Sequence, residues 1–184
     1  RSNFLLPLLW RMGAMLHSYP LVFICVGVVG YLVGSTQGTF EAFRSLQEVW
    51  HMTNFTVGHS HLTMYGSGRF RRGGGHYAPR PLAPCKGLGH RGLMLHFWRA
   101  VVGSFIYVIS LSIGGSIQGL DWIHGLPFIQ SVVDMQSYYV WRGVGGLLMF
   151  LSHVVFGWNV WRMTYGRVAN ATPLAALRAG KAAA

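Results

Sequence analysis

The sequence predicts an all-α fold, a polytopic bundle of membrane-spanning helices, and three observations carry that reading. Hydrophobic residues make up 52% of the 184-residue chain and charged residues only 10%, where a soluble domain carries about 25% charged residues. The apolar runs Leu21–Val33, Phe97–Ile117 and Val140–Val160 approach or reach the roughly 20 residues needed to cross hydrocarbon. Charge then alternates between the runs. Gly34–Thr53 holds Glu41, Glu48 and a single Arg44, and Gly119–Tyr139 holds Asp121 and Asp134 with no Lys or Arg. Arg1 and Arg11, the stretch Ser67–Arg91, and Arg162, Arg167, Arg178 and Lys181 are basic throughout. This is the positive-inside pattern of an even number of spans, with both termini cytoplasmic. It also accounts for the net charge of +11 better than nucleic-acid binding does, although Arg69-Phe70-Arg71-Arg72-Gly73-Gly74-Gly75 has the look of an RNA-binding tract.

The first span is expected over Pro20–Thr36. Ser18 ahead of Tyr19-Pro20 suits an N-cap followed by a proline in the first turn. Arg1–Met12 lacks a small-residue cleavage site, so no cleavable signal peptide is expected. Cys25 reads as a small core residue of this helix and Cys85 as a loop thiol, since neither has metal-type spacing.

A second span begins at Asn54 and is predicted to stop at Gly66. From Ser67 to Gly92 the sequence turns to Arg, Gly and Pro without an acid, and such composition halts a helix inside the hydrocarbon. Residues 67–92 are therefore expected to be either a genuine basic loop or a segment translated in a shifted reading frame. The second is favoured, because a half-length span has no stable place in a bilayer.

Apolar sequence resumes at Leu93, giving a third span over Phe97–Ile117 and a fourth over Val140–Arg162. Gly34-Ser35-Thr36-Gln37-Gly38 recurs as Gly115-Ser116-Ile117-Gln118-Gly119 81 residues later, and both sets of glycines suit helix C-termini. Residues 1–165 thus form one membrane segment, and 166–184 an Ala-rich cationic tail that is frayed or interfacial.

The chemistry concentrates in His59-Ser60-His61. Residues i and i+2 on a helix diverge by about 200°, so the two imidazoles cannot chelate one ion. Each can ligate its own metal on opposite sides of one helix. Neutral imidazole nitrogen suits iron, with the other ring nitrogen oriented by an acceptor.

Several blocks in order then resemble a known family: Gln37-Gly38, His51-x-Thr53-Asn54-Phe55-Thr56-Val57-Gly58-His59-x-His61, His96-Phe97-Trp98, Gln118-Gly119-Leu120-x-Trp122, Arg142-x-x-Gly145-Gly146 and Asn159-x-Trp161-Arg162. Together they resemble the C-terminal third of a heme–copper oxidase catalytic subunit, closest to the cbb-type cytochrome c oxidases, whose twelve helices form three arcs. The resemblance covers about residues 19–66 and 93–165, and none of the family's residues match between Gly66 and His96.

That resemblance implies two b-type hemes, with His59 the axial ligand of the high-spin heme at the dioxygen site. His61 is then one axial ligand of the low-spin heme. It implies a copper whose histidine ligands lie outside this chain, partner subunits bearing cytochrome c, a bacterial inner membrane, and reduction of dioxygen to water coupled to proton translocation. His51 and Arg142 fall on the side of the family's heme propionates. A solvated loop histidine accounts for His51 equally well, and an arginine snorkelling to headgroups accounts equally for Arg142. His153 is explained by facing a neighbouring helix, His96 by the start of a span, and Met149, Phe150 and Phe156 by packing. A nitric oxide reductase of the same superfamily, with iron in place of copper, and a non-catalytic fragment of a damaged gene are the alternatives.

Overall fold

A computed structural model describes residues 19–77 and 90–182. Every element among them is helical: α1 (Tyr19–Glu41), α2 (Arg44–Trp50), α3 (54–77), α4 (His90–Ile123), α5 (Phe128–Asp134) and α6 (Gln136–Ala182). Cys85 and the rest of 78–89, and the N-terminal residues through Ser18, lie outside the described residues. Three helical stretches are long and apolar enough to cross a membrane: Leu21–Glu41, Arg91–Ile123 and Gln136–Met163.

The second span departs from expectation. It does not stop at Gly66. It continues through three eight-residue stretches: α-helical over Asn54–His61, wider π turns over Leu62–Arg69, and α-helical again over Phe70–Tyr77. The expected truncated span, and the expected loop as far as Tyr77, are therefore corrected. Two contacts show why the helix persists. Gly66 lies so close to α1 that a Cβ added at Gly30 would sit 2.6 Å from its carbonyl oxygen. Phe70 then buries to 2% exposure in a cluster with Phe23, Phe97 and Ala100. Packing from α1 and α4 thus overrides the weak intrinsic propensity of Arg-Arg-Gly-Gly-Gly. At about 1.5 Å per residue the helix is some 36 Å long, so it has the length of a span without the apolar character of one.

The glycines of the repeated pentapeptide also serve differently from expectation. Gly38 and Gly119 do not end their helices, since α1 runs on to Glu41 and α4 to Ile123. They admit close neighbours instead: the His59 ring lies against Gly38, and the backbone carbonyl of Val49 against Gly119. α6 continues as helix to Ala182 through the tail, whose alanines, leucines and arginines are strong helix formers. The short helices α2 and α5 have no counterpart in the sequence reading.

α4 is the hub, packing on α3 along one side and on α6 along another. At the second contact Gly103 and Gly145 face each other, and a Cβ on either would fall within 2.9 Å of the other's carbonyl oxygen. Small residues at such a crossing bring two backbones together where apolar burial gives no net drive in lipid.

Candidate metal-ligand helix

α3 opens on a well-made start. Thr53 accepts a hydrogen bond from the Phe55 amide at 3.3 Å, an N-cap. Gln118 of α4 reaches across, and its Oε1 accepts from both the backbone N–H of Asn54 (3.0 Å) and Asn54 Nδ2 (2.8 Å). Trp50 stacks on Phe55 with ring centroids 4.0 Å apart and donates from Nε1 to Ser116 Oγ at 3.0 Å. The turns carrying His59 and His61 are therefore anchored at their N-terminal end by α4, by Trp50 of α2 and by Thr53.

The two histidines leave α3 toward different neighbours. His59 faces α1: its Nδ1 lies 3.4 Å from Gln37 Oε1, and its Nε2 lies 4.0 Å from Glu41 Oε2. The Gln37 amide is oriented by its own Nε2, which donates to Ser112 Oγ of α4 at 3.4 Å. The Gln37 amide oxygen can accept from Nδ1 of His59 while the Glu41 carboxylate faces Nε2, so the ring has an acceptor at each nitrogen. Glu41 Oε1 beside it is buried without a hydrogen-bond partner, an arrangement that costs stability unless another group completes it.

His61 faces α4 and an open cleft. Its Nδ1 donates to the Val57 carbonyl at 2.9 Å, which in the neutral ring leaves Nε2 as the lone-pair nitrogen. The Tyr107 ring packs on the imidazole with centroids 4.5 Å apart and planes 38° apart. The cleft, about 360 Å³, is lined by Ser60, His61, Met64, Tyr65 and Arg69. Tyr65 is held by a 3.1 Å hydrogen bond between its hydroxyl and Ser152 Oγ of α6.

His51 and Arg142 do not join either histidine through any recorded contact. His51 caps the end of α2, where its Nδ1 accepts from Gln47 Nε2 at 2.9 Å in an exposed position. Arg142 lies over the Tyr139 ring at 5.9 Å, and the Tyr139 hydroxyl accepts from Asn54 Nδ2 at 3.3 Å. Arg142 is thereby tied indirectly to the start of α3. Of the other histidines, His153 donates from Nδ1 to the Met149 carbonyl at 2.6 Å, and His96 is buried between Phe23 and Phe156.

The His61 ring thus leaves Nε2 for an iron it would hold, with Nδ1 directed by an acceptor as metal-bound histidines require, and in the same role His59 would bind through Nε2. For His59 the Glu41 contact occupies that nitrogen's approach and would have to open. A copper centre is a different case. Among the described residues no three His, Cys, Asp or Glu side chains converge as a metal needs, so these residues do not fit copper. Tyr107 escaped the sequence reading, Glu41 entered it only as a loop charge and Gln37 only as part of a motif. Their contacts cross between helices, and no spacing along the chain encodes them.

Comparison with known proteins supplies the context. The family described as cytochrome c and quinol oxidase polypeptide I matches residues 2–148. A cytochrome c oxidase subunit 1 homolog of Bradyrhizobium diazoefficiens is 29% identical over 147 residues, covering 75% of this chain and 27% of that protein. A cbb3-type cytochrome c oxidase subunit of Stutzerimonas stutzeri is 28% identical over 157 residues, covering 80% of this chain and 33% of that protein. Cytochrome c oxidase subunit 1 of Rhodobacter capsulatus is 28% identical over 156 residues, covering 79% and 29% respectively. The chain spans about a third or less of the length of these curated relatives.

Proposed function

Since this chain belongs to the cytochrome c and quinol oxidase polypeptide I family, we propose that it is the C-terminal part of the catalytic subunit of a respiratory terminal oxidase. That enzyme passes electrons from cytochrome c through a low-spin heme to a high-spin heme–copper site, reducing dioxygen to water with proton translocation. The complex resides in the bacterial inner membrane with cytochrome c-bearing subunits. The observation that carries the proposal is the divergence of His59 and His61 from one helix toward two separate surroundings.

Heme iron held at these residues would supply one-electron transfer on the His61 side and a dioxygen-binding centre on the His59 side. The chain's own contribution is to hold and orient. Val57 accepts from Nδ1 of His61 and so leaves its Nε2 available to iron, while Gln37 and Glu41 hold the His59 ring, whose Nε2 is freed when the Glu41 contact opens. Gln118 and Thr53 hold the start of the helix in place, so the two imidazoles keep their relative placement. Arg142 and His51 stand at the outer end of the bundle, where a cation or a hydrogen-bond donor can meet a heme propionate. Copper ligands come from the rest of the subunit.

Substitution in the complete subunit tests this. His61→Ala should remove the six-coordinate low-spin heme signal, and His59→Ala should instead alter carbon monoxide binding at the high-spin heme. Either should abolish oxygen uptake. Optical spectra in which both substitutions affect the same heme would sink the assignment.

A specific observation favours a second reading, a non-catalytic product of a damaged gene. Arg69, Arg71 and Arg72 are all exposed on α3, and Arg71 packs beside Gly27 of α1, six residues inside the Leu21–Glu41 span. Charges at that depth are costly. An intact open reading frame encoding the full-length subunit upstream of Arg1 would exclude this reading.

A further inference from the structure

We propose that Tyr107 is a positioning residue that sets the plane of the His61 imidazole, and with it the electronic properties of the iron His61 ligates; this rests on the assignment of His61 to the low-spin heme. The hydrogen bond from Nδ1 to the Val57 carbonyl fixes one atom of the ring but leaves it free to rock about that bond. On the cleft side the ring meets open space bordered by Ser60, Met64, Tyr65 and Arg69. Tyr107 supplies the missing restraint. Its ring meets the imidazole at 4.5 Å between centroids, tilted by 38°, within the range where offset or tilted aromatic pairs attract.

Tyr107 is itself held from behind. It is only 9% exposed and clusters with Leu111 and Met149, with Tyr65 packed against them. Gly145 and Gly146 of α6 come up to it: a Cβ at Gly145 would lie 2.8 Å from the Tyr107 amide nitrogen, and one at Gly146 would lie 3.8 Å from Cε2 of its ring. The glycine pair therefore lets α6 approach closely enough to back the tyrosine. A line of contact runs from α6 through Tyr107 to His61, so the placement of α6 is transmitted to the ligand plane. The orientation of an axial imidazole determines how its π orbitals overlap with iron d orbitals. It therefore sets both the g-values of a low-spin ferric heme and its reduction potential, the same properties that groups around a ligand tune.

The test uses the full-length oxidase complex carrying Tyr107→Phe or Tyr107→Leu, with heme content, electron paramagnetic resonance of the low-spin heme and its redox titration as readouts. Tyr107→Phe keeps the flat ring and should leave g-values and midpoint potential as in the unaltered enzyme. Tyr107→Leu keeps apolar bulk without the ring, and should shift and broaden the low-spin g-values and move the potential while heme content stays full. Heme-loaded Tyr107→Leu with unchanged g-values and potential overturns the proposal, as does an equal shift in Tyr107→Phe. Should Tyr107→Leu fail to assemble, Tyr107→Trp takes its place: a larger ring against the same backing should shift the g-values, and an unchanged spectrum overturns the proposal. His61→Ala, run alongside, separates the two levels. If it leaves the low-spin signal intact, the ligand assignment itself has failed, whatever Tyr107 does.

Discussion

Gln118→Leu probes how strongly the ligand-bearing helix is held. Gln118 is buried at 6% exposure, and its Oε1 accepts two bonds from Asn54, one from the backbone N–H and one from Nδ2. Each such hydrogen bond contributes about 1 kcal/mol net. Removing the acceptor forfeits both and strands two donors in a part-buried site, so the expected loss is about 2–3 kcal/mol. Asn54→Ala removes only the Nδ2 bond to Gln118 and the weaker 3.3 Å bond to Tyr139, an expected loss of about 1–2 kcal/mol. The two changes share the Nδ2–Oε1 bond, so the double variant should fall short of the sum by about 1 kcal/mol. Equilibrium unfolding of the purified protein in mixed micelles, read by tryptophan fluorescence or helical dichroism, measures all three. Additivity within about 0.3 kcal/mol would refute the claim that the Asn54 side chain couples to Gln118.

Further expectations concern topology, insertion and packing. Cysteines introduced between Asp121 and Asp134 should label from the outer face and those between Arg167 and Lys181 from the inner face; labelling of both from one face would overturn the four-helix arrangement. In a translocon insertion assay the segment 54–77 should insert poorly. Arg71→Leu with Arg72→Leu should raise insertion, since an arginine costs about 2.5–3.5 kcal/mol at the centre of a span and a smaller share of that toward its end, and unchanged insertion would show that these arginines escape the hydrocarbon. Gly103→Leu should force α4 and α6 apart and destabilise the protein by about 1–3 kcal/mol, measured in the same micellar unfolding; an unaltered midpoint would mean the close Gly103–Gly145 approach is not needed. Reading the DNA for Ser67–Gly92 in its two other frames should uncover an apolar continuation of eight or more residues after Gly66, and its absence from both would make the basic sequence genuine.

Much of the fold was legible because lipid imposes simple demands. Long apolar runs had to be helices, and three of them are. What the sequence hid was contact between helices. The pentapeptides ending in Gly38 and Gly119 read as helix ends because glycine is a common C-cap, yet both glycines sit inside helices at close approaches. Gly66 reads as the end of its span for a different reason, the run of Arg, Gly and Pro that follows it. Its neighbour Gly30 and the burial of Phe70 carry the helix past a sequence that local propensity alone would break. At the candidate site, the two-residue histidine spacing predicted divergence from helical geometry alone. Gln37, Glu41 and Tyr107, the side chains each histidine meets, lie 22, 18 and 46 positions away in the chain, and only packing brings them in.

The extended α3 changes what a shifted reading frame would have to explain. If the helix had ended at Gly66, the chain would have lacked half a span. With helix continuing to Tyr77, the geometry of a full span is present, and the anomaly reduces to the charges at Arg69, Arg71 and Arg72. The α1–α3 contacts give their depth. Gly38 meets His59, Gly34 meets Thr63, Gly30 meets Gly66 and Gly27 meets Arg71, so α3 descends as α1 rises. Gly27 is six residues from the Leu21 end of the α1 span, which places the Arg71 backbone about 9 Å inside it at 1.5 Å per residue. An arginine side chain can carry its charge only part of that way toward headgroups, and Arg71 instead lies over the Tyr31 ring of α1 at 5.8 Å. That contact draws the guanidinium toward the middle of the span, since Tyr31 is further from the Leu21 end than Gly27. An apolar side chain at position 71 would meet the same surface of α1 without a charge to desolvate. The position therefore asks for an apolar residue, and the frame reading is the experiment that shows whether the gene once encoded one.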